Sequence, residues 1–541
     1  MLAMPASDVR GAGMVVALWV LGLACGPACA VETHNLEVVW MRAGPPGVFW
    51  TYGEYLCGGD FNGDGYCDFA FSADSWIDPY RGIIESHTYV FMGQEHFDSV
   101  PDYVIVHDTL EGALSSLASA DVNGDGFSDL VAGDWTGRPE ERGSVRIYLG
   151  GSPFDTTCDY RIIGPTRASA FGCAASSAGD VDGDGWEDLV VGAPDGSVRP
   201  GFPAGWVQVF YGGPGFDTCA DVNILGGHEG QDEYFGFDVS GGADLNMDGY
   251  DDIIIGALNY GYRGRVYIYF GGTPLDTGHY VAFTGESGGA DLGKCVDLLR
   301  NRGHYGHAIA GAPFYPVWKG TGYVFYGGSP MDSVPDVRIS GHGDSCEIGY
   351  SAARAGDLTG DGNDEFLFGD VGENSCRGAA YIFKGGPSGL DTTPMGWIKG
   401  SDPYDCVGSN VAPIGDADRD GNNEFAVSDY FMRLRVWVCR YAETAVAEDA
   451  GATPEQATRL LVQQPNPVHG WVVVRYSLAS AGHVSVQVCD PAGRVLTTLA
   501  NGQQRAGTHT VRWRSQDAAG VYFCRLTADG CCATEKLVLQ R

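Results

Sequence analysis

Positive charge and long apolar runs are both scarce in this chain of 541 residues. Its 33 Lys and Arg stand against 69 Asp and Glu, and the formal net charge of −36 excludes nucleic acid and anionic membrane surfaces as favoured partners. After the first 30 residues no stretch is long and apolar enough to span a bilayer. No sustained helical period, C-x-x-C pair, Gly-x-Ser-x-Gly elbow or phosphate loop is present, so no catalytic constellation is visible and we expect no enzyme.

Glycine and short apolar runs are what the chain has instead. The 82 glycines, with prolines, bound runs of five to eight residues that either alternate or are fully apolar, which is typical of strands. Hydrophobic residues at 44% suffice for a core. We therefore expect an all-β chain with one large repeat domain and a smaller second domain.

The N-terminus has the pattern of an export signal. Arg10 precedes an apolar core over residues 14–24, and Ala28-Cys29-Ala30 gives a small-x-small cleavage pattern before Val31. The alternative is lipidation at Cys25. We expect residues 1–30 to be a signal peptide and the mature protein to be secreted or held at a bacterial cell surface.

One nine-residue segment carries the clearest chemistry. Asp180, Asp182, Asp184 and Asp188 occupy positions 1, 3, 5 and 9, and glycines stand at positions 4 and 6. Such spacing wraps carboxylates around one hard cation, with the position 7 carbonyl as a further ligand and a positive φ at Gly185. An EF-hand would need flanking helices and a Glu at position 12, which here is Val191.

The segment recurs, so that six loops are predicted to bind up to six calcium ions. Their positions 1, 3, 5 and 9 hold 20 of the 69 acidic residues, and without a cation like charges would be confined together in each loop, so we expect metal binding and folding to be coupled. The predicted ligands at positions 1, 3, 5, 7 and 9 are Asp60, Asn62, Asp64, Tyr66, Asp68; Asp121, Asn123, Asp125, Phe127, Asp129; Asp180, Asp182, Asp184, Trp186, Asp188; Asp244, Asn246, Asp248, Tyr250, Asp252; Asp357, Thr359, Asp361, Asn363, Glu365; and Asp416, Asp418, Asp420, Asn422, Glu424.

The spacing of the loops predicts seven units. Loop starts are about 60 residues apart except for one gap of 113, and this gap contains the apolar run 308–313 that matches the run after the third loop. Aligned on that run, the fifth unit has Leu299, Gly303 and His307 at positions 1, 5 and 9, so it keeps the strand and loses the metal. Seven units of four strands predict a seven-bladed β-propeller over residues 31–444.

Ring closure is predicted from a strand that the last unit lacks. The seventh unit has three strands before the chain turns polar, and residues 36–41 precede the first unit with the pattern of a fourth strand. We expect this N-terminal strand to complete the last blade and remove an exposed edge.

The remaining segments are a linker and a small domain. Residues 445–464 are polar and small, which indicates a linker, and residues 465–541 hold alternating runs separated by Gly, Pro and Asp turns, which predict a small Ig-like β-sandwich. After removal of the signal, 14 cysteines remain and are expected to form disulfides, with Cys57 and Cys67 able to staple the hairpin of the first loop. Cys531 and Cys532 are adjacent and should not pair with each other.

Two pairs of motifs around the loops resemble a known family. Phe171-Gly172 and residues 191–194 (Val-Gly-Ala-Pro) bracket the third loop, and Phe235-Gly236 with residues 255–257 (Ile-Gly-Ala) repeat the pattern. This resembles the FG-GAP repeat of integrin α-subunit propellers, over roughly residues 35–441. The resemblance implies a calcium-stabilised propeller whose ligand-binding loops lie on the face opposite the metal.

The tail has a separate resemblance. Residues 465–467 (Pro-Asn-Pro), 490–494 (Asp-Pro-Ala-Gly-Arg), 520–523 (Gly-Val-Tyr-Phe) and 536–539 (Lys-Leu-Val-Leu) are similar to bacterial type IX secretion sorting domains, which are related to the Ig-like domain of the flagellar hook-capping protein. The resemblance implies an export address recognised by secretion machinery. The alternative is a plain accessory Ig-like module.

These observations favour a monomeric adhesion or binding protein with an extracellular protein or glycan ligand. The loops expected opposite the metal are rich in aromatic residues, which suit sugar stacking or a protein hot spot, although several could instead pack between blades. These are Trp76, Tyr80, Trp135, Tyr260, Tyr262, Phe314, Tyr315 and Trp318. The alternative is a lectin or a polysaccharide-active enzyme with a carboxylate pair among Asp134, Glu140, Glu141 and Asp370.

Overall fold

The computed structural model divides the chain into two compact units, Met1–Thr444 and Ala445–Arg541. The described residues are 31–44, 51–78, 83–95, 97, 100–107, 114–135, 142–166, 169–195, 197–199, 202–227, 233–314, 319–341, 346–387, 390, 392–429, 434–442, 459–463, 471–478, 482–489, 494–504, 507–514, 520–528 and 531–539. The expected signal peptide, residues 1–30, lies outside them and stays a prediction.

Seven antiparallel sheets form the blades of the first unit, as the repeat spacing predicted. Six of them have four strands, and the sheet of blade six has a fifth. The N-terminal strands are β1 (Val31–His34) and β2 (Leu36–Ala43). Blade one consists of β3 (Thr51–Gly59), β4 (Asp68–Asp78), β5 (Ile83–Phe91) and β6 (Tyr103–His107), and blade two of β7 (Ser116–Ala120), β8 (Asp129–Asp134), β9 (Ser144–Tyr148) and β10 (Tyr160–Ile163). Blade three consists of β11 (Ala175–Gly179), β12 (Asp188–Ala193), β15 (Trp206–Phe210) and β16 (Val222–Leu225), and blade four of β17 (Phe235–Ala243), β18 (Asp252–Ala257), β19 (Arg265–Tyr269) and β20 (Tyr280–Thr284). A hairpin, β13 (Ser197–Arg199) and β14 (Phe202–Pro203), is inserted in blade three.

The other three blades complete the ring. Blade five consists of β21 (Val296–Leu299), β22 (His307–Ala312), β23 (Thr321–Tyr326) and β24 (Val337–Ser340). Blade six contains β25 (Ile348–Gly356), β26 (Glu365–Asp370), β27 (Ala379–Phe383) and β28 (Gly396–Gly400). Blade seven consists of β29 (Asn410–Gly415), β30 (Glu424–Asp429) and β31 (Arg435–Tyr441), with β2 as its fourth strand. Single helical turns occur at Tyr260–Tyr262 and Glu373–Cys376. The first strand of each blade contacts the first strand of the next, and β29 contacts β3, so the ring is closed.

The core lies between neighbouring blades. The second strand of each blade is buried at every described side chain, because both faces of the sheet are covered. One cluster joins Val190 and Val207 of blade three to Ile253, Ile255 and Tyr267 of blade four. Burial of apolar surface on both faces, at about 25 cal/mol per Å², explains why these short runs are fully apolar rather than alternating.

The N-terminal segment closes the ring, and it does more than the sequence predicted. β2 pairs with β31 from Leu36↔Tyr441 to Ala43↔Arg435, which confirms the predicted fourth strand of blade seven. β1 pairs with β28, so it adds a fifth strand to blade six. Asn35, at φ +55°, turns the chain between the two strands, and its side-chain amide donates to the carbonyl of Met395 at 2.6 Å. The segment therefore joins blades six and seven.

The fifth blade keeps its strands without the acidic loop, as predicted. His307 is buried at position 9, where its Nδ1 lies 2.8 Å from the carbonyl oxygen of Gly306 and 3.3 Å from the backbone N of Gly327, and its Nε2 lies 2.9 Å from the carbonyl oxygen of Gly386. Burial lowers the pKa of His307, which favours the neutral ring. An imidazole thus contacts backbone groups at a place where the other blades have a carboxylate.

The second unit consists of two antiparallel sheets, as expected for a β-sandwich. One sheet is β32 (Arg459–Gln463), β33 (Trp471–Leu478) and β36 (Gly507–Arg514), and the other is β35 (Val495–Gln504), β34 (Gly482–Cys489), β37 (Gly520–Ala528) and β38 (Cys531–Leu539). Tyr476 of the first sheet packs against Val484, Val486 and Leu526 of the second. β32 lies inside the predicted linker 445–464, because Leu460-Leu461-Val462 pairs with β33, so the linker as predicted is too long.

The predicted staple between Cys57 and Cys67 is wrong. Both are free thiols, like the other described cysteines whose side chains can be assessed. In the ladder Cys57 is opposite Ala70, whereas Cys67 lies beyond the last pair, Gly59↔Asp68, and faces Gly415 of blade seven. The two side chains therefore belong to different blade interfaces.

Candidate metal loops

The six acidic loops join the first strand to the second strand of their blades, so they lie at the same end of each sheet. The position 1 carboxylate organises each loop. In the third loop Asp180 accepts the N–H of Gly183 at 2.8 Å and of Gly185 at 2.9 Å, and in the first loop Asp60 does the same at 2.7 and 2.8 Å. Gly185 has φ +95°, which confirms the positive φ expected at position 6.

The position 9 carboxylate is buried and joins the loop to another part of the blade. In the first four loops one of its oxygens accepts the N–H of position 2, and the other accepts the N–H of a glycine in the turn after the third strand, at 2.7 to 2.9 Å. These residues are Asp68 with Phe61 and Gly93; Asp129 with Val122 and Gly150; Asp188 with Val181 and Gly212; and Asp252 with Leu245 and Gly271.

Burial raises the pKa of every position 9 carboxyl. The pKa is raised to about 7 for Asp68, Asp129, Asp188 and Glu365, and to about 8 for Asp252 and Glu424. The backbone N–H bonds lower the pKa but do not offset the desolvation, and the neighbouring loop carboxylates raise it further. A positive charge placed in the loop would therefore be favourable.

Two loops bring three carboxylates together. Oxygens of Asp180, Asp182 and Asp188 lie within 4.8 Å of one another, and so do oxygens of Asp416, Asp418 and Glu424. The other four loops have Asn or Thr at position 3, so an amide or hydroxyl oxygen takes the place of one carboxylate. All of these are oxygen donors, which suit a hard divalent cation.

Unpartnered oxygens in the acidic loop of blade seven support the fit to a cation. Oδ1 of Asp416 and Oε1 of Glu424 are buried and have no hydrogen-bond partner among the described residues. The fourth strand of blade seven is β2 from the N-terminus, and the sequence after β31, residues 442–450, has no glycine to supply the N–H that serves Asp68 or Asp188. Buried carboxylate oxygens without donors are costly unless a cation binds them.

Adjacent loops are linked around the ring. The N–H of position 8 donates to the position 1 carbonyl of the preceding loop, as in Ser128 to Asp60 (2.9 Å), Asp251 to Asp180 (2.9 Å) and, across the seam, Cys67 to Asp416 (3.1 Å). These bonds hold a carbonyl of one loop against the backbone of the next. The loops are therefore a continuous ring and not isolated turns.

Position 7 side chains reinforce this ring in the first four blades. The ring of Phe127 covers Gly63 so closely that a Cβ there would lie 2.3 Å from it, and Trp186 covers Gly124 in the same way at 2.4 Å. Tyr66 packs across the seam, with the Arg419 guanidinium 4.4 Å from its ring centre. At Gly63 and Gly124 the neighbouring blade thus leaves no room for a side chain, and both glycines also have positive φ, whereas position 4 is Met247 in blade four and Arg419 in blade seven.

Blades six and seven differ from the first four at the residue beside position 9, at the end of the third strand. This residue lies beside position 9 and is Met92, Leu149, Tyr211 and Phe270 in blades one to four. In blade six it is Lys384, whose Nζ lies 3.2 Å from Oδ2 of Asp361, and in blade seven it is Arg440. Nη1 of Arg440 lies 3.2 Å from Oδ2 of Asp418 and 2.5 Å from Oδ2 of Asp420.

The opposite end of the propeller carries two of the predicted aromatic residues as exposed rings. Trp135 follows β8 and is 44% exposed, and Tyr262 is 77% exposed at φ +60°. Tyr260 is instead buried, because the Arg265 guanidinium stacks 3.4 Å from its ring centre, and Phe314 is half-buried. The side chain of Trp76 and all of Tyr80, Tyr315 and Trp318 lie outside the described residues.

The carboxylates considered for catalysis have structural partners. Asp134 is buried and paired with Arg146 at 3.4 Å, and Asp370 is buried and accepts the N–H groups of Glu347 at 2.7 Å and Glu373 at 3.1 Å. Glu140 and Glu141 lie outside the described residues. Neither Asp134 nor Asp370 is placed to act on an external substrate.

Comparison with known proteins agrees with the propeller. An FG-GAP repeat model matches residues 174–210 and 235–269, and an FG-GAP-like repeat model matches residues 121–191. All of these matches fall in blades two to four. Among the described residues, no helix has the length and apolarity needed to cross a membrane.

Integrin α chains are similar to part of this chain. Integrin alpha-5 of Xenopus laevis is 36% identical over 168 residues, covering 28% of this chain and 16% of the relative. Integrin alpha-PS2 of Drosophila melanogaster is 35% identical over 160 residues (27% and 11%), and integrin alpha-6 of Homo sapiens is 31% identical over 159 residues (28% and 13%). The matched region thus spans under a fifth of each relative, and this chain is similar to integrin α chains over part of its length and to FG-GAP repeats in blades two to four.

Proposed function

We propose that this protein is a calcium-stabilised binding protein of the cell exterior, in which the propeller presents a ligand-binding face. The observation that carries the proposal is the division of the ring into two ends. Acidic loops that fit a hard cation lie at one end, and the exposed rings of Trp135 and Tyr262 lie at the other. Integrin α chains share these repeats over the matched region, which supports a binding role.

Calcium is the proposed ion because the six loops offer oxygen ligands alone. Carboxylate, amide, hydroxyl and carbonyl oxygens suit calcium, and the flexible nine-residue loop accommodates its larger coordination number better than the strict octahedron of magnesium. The residues that would hold it are those at positions 1, 3, 5, 7 and 9. Bound calcium would supply the positive charge that the buried position 9 carboxylates lack.

The ligand is proposed to be an extracellular protein or glycan that docks on exposed aromatic residues. Large rings provide contact area at low entropic cost, and they serve sugar stacking and protein hot spots alike. Trp135 and Tyr262 extend from loops of two different blades, so a ligand touching both would be larger than a single sugar. The C-terminal unit is proposed to be the export and anchoring domain that its sequence motifs resemble.

The test is an array of glycans and matrix proteins probed with the full chain, with and without calcium. We expect capture of at least one ligand class, and we expect Trp135→Ala with Tyr262→Ala to reduce it at least about tenfold, since buried aromatic anchors are each worth about 2 kcal/mol or more. Val334→Ala is the matched control, because Val334 is exposed at the metal-loop end. Unchanged capture by the aromatic variant would refute the proposed face, and hydrolysis of a captured polysaccharide would favour the enzyme alternative.

A further inference from the structure

We propose that Lys384 and Arg440 are tethered cations that weaken calcium binding in blades six and seven, so that the ring contains four strong and two weak calcium sites. The inference rests on the proposed calcium binding and adds which of the six sites bind the ion more weakly. It comes from a difference between loops that otherwise share one pattern. Three features set blades six and seven apart.

The first feature is the location of the basic side chains. Lys384 and Arg440 occupy the position held by Met92, Leu149, Tyr211 and Phe270 in the first four blades. From there each reaches the position 5 carboxylate of its own loop, Asp361 or Asp420. Among the residues that the structure describes, the Lys and Arg ion pairs with loop carboxylates are those of Lys384 and Arg440. Arg419 of blade seven also reaches the loop of blade one, but it donates to the backbone carbonyls of Asp64 and Gly65 and leaves the carboxylates of that loop without a basic partner in the described part of the chain.

The second feature is a coordinated change of three residues. Blades one to four combine Asp at position 9, an aromatic residue at position 7 and an uncharged residue beside position 9. Blades six and seven combine Glu, Asn and a basic residue at these places. The side-chain amides of Asn363 and Asn422 donate to Asp361 and Asp420 at 2.8 and 2.7 Å. In blades one, two and four an Asn at position 3 donates to position 5 instead, so the donor that blades six and seven add is the basic side chain.

The third feature is competition for ligand oxygens. A calcium ion in the acidic loop of blade seven would share Asp418 and Asp420 with the guanidinium of Arg440, which already lies 2.5 to 3.2 Å from them. The ion must therefore displace the guanidinium or bind beside a like charge, and both reduce its affinity. Arg440 is also held in place by Glu37 of β2, at 3.0 Å, so displacement would break a contact with the closing strand.

The test is calorimetric titration of the metal-depleted full chain with calcium, at fixed ionic strength because exposed ion pairs are screened by salt. We expect the wild type to bind four ions tightly and two at least about tenfold more weakly. The variant Lys384→Met with Arg440→Leu, which restores residue types found in blades one and two, should bind six ions tightly, a gain of about tenfold at two sites. Lys384→Met alone should strengthen one site, and it should fold because Lys384 is 55% exposed.

Two controls separate the possible causes. Arg338→Gln removes a surface cation that pairs with Glu286 away from the loops, and it should leave all affinities unchanged. Glu37→Gln removes one anchor of Arg440 but leaves the positive charge in the loop, and it should give a smaller gain in affinity than Arg440→Leu. If Glu37→Gln strengthened binding as much as Arg440→Leu, strand closure and not the tethered charge would be the cause, and the inference would be overturned.

The remaining outcomes distinguish this inference from the proposed function. Six equal sites in the wild type, unchanged in the double variant, would refute the tethered cations and leave calcium binding intact. No calcium binding by the wild type, with no effect of chelation on the melting temperature, would refute the proposed function itself.

Discussion

The first four metal loops and the last two solve the same electrostatic problem in different ways. In blades one to four an aromatic residue at position 7 seals the loop against its neighbour, and the residue beside position 9 is uncharged. In blades six and seven that residue is a Lys or Arg that pairs with the loop, while Glu365 of blade six still accepts the backbone N–H groups of Leu358 at 2.7 Å and Gly385 at 3.4 Å. Like charges confined in a loop must be balanced, and we expect a bound ion to balance them in the first group and the chain itself to do so in part in the second.

The two groups also differ in how they are joined to the N-terminus. β1 extends blade six and β2 completes blade seven, so the blades with tethered cations are those that the closing segment holds. Arg440 connects both features, since it pairs with Glu37 of β2 and with Asp418 and Asp420. We infer that the seam of the ring depends on strand pairing and internal ion pairs, while the first four blades depend on metal.

Among the changes that test this comparison, deletion of residues 31–42 should have the largest effect on the stability of the ring. Without β1 and β2, blade six loses its fifth strand, and β31 is left as an open edge with unpaired N–H and C=O groups. We expect loss of soluble monomer, measured by light scattering after size-exclusion chromatography, against a chain beginning at Val31 as the control. A monomer that keeps the melting temperature of the control would show that the seam is held in some other way.

Removal of calcium should have the next largest effect, and it should fall on the first four blades. An ion at about 100 times its dissociation constant stabilises a site by about 2.7 kcal/mol, so four sites should lower the melting temperature by roughly 10 °C when emptied. On transfer from calcium to EDTA, we expect backbone hydrogen exchange to rise more in the acidic loops of blades one to four than in those of blades six and seven. Mass spectrometry of peptides from one digest measures both groups. Equal exchange in both groups would contradict the comparison, and an unchanged melting temperature would contradict a structural role for calcium.

Much of this architecture could be predicted from the loop pattern, and the reason is local. A nine-residue acidic loop followed by an apolar run fixes the start of the second strand, so the blade count, the degenerate fifth loop and the fourth strand of blade seven all followed from spacing. The positive φ of Gly185 followed from steric restriction alone. The comparisons match only blades two to four, yet the seven sheets extend the same unit around the ring.

The contacts that distinguish the blades could not be predicted in this way, because they depend on strand register. Lys384 and Arg440 lie 19 and 16 residues beyond position 9 in the chain and reach it only through the pairing of the second and third strands. Tyr260 is buried because Arg265 folds back over its ring, and Cys57 and Cys67 face different blades. One signal was available in the sequence: a Gly-Gly pair after the third strand, as at residues 212–213, marks the turn whose N–H binds position 9.

Acidification of the metal-free protein should have the smallest of these effects, and its sign is opposite to ordinary acid denaturation. The folded pKa of the position 9 carboxyls is raised by burial to about 7 for Asp68, Asp129, Asp188 and Glu365 and about 8 for Asp252 and Glu424, above the value of about 4 in an unfolded chain. The folded state therefore binds more protons over this range, and stability is lost as the pH rises through 7 and 8.

In EDTA we consequently expect the melting temperature to rise by several degrees when the pH is lowered from 8 to 6. In calcium the ion should hold these carboxylates in the charged form, so most of that rise should disappear, although buried groups outside the loops such as Asp238, with its pKa raised to about 7, keep part of it. The measurement is a pair of melting curves at each pH, with and without calcium, in buffers of equal ionic strength. A melting temperature in EDTA that falls on acidification would mean that the position 9 carboxyls are not the groups that limit the metal-free ring.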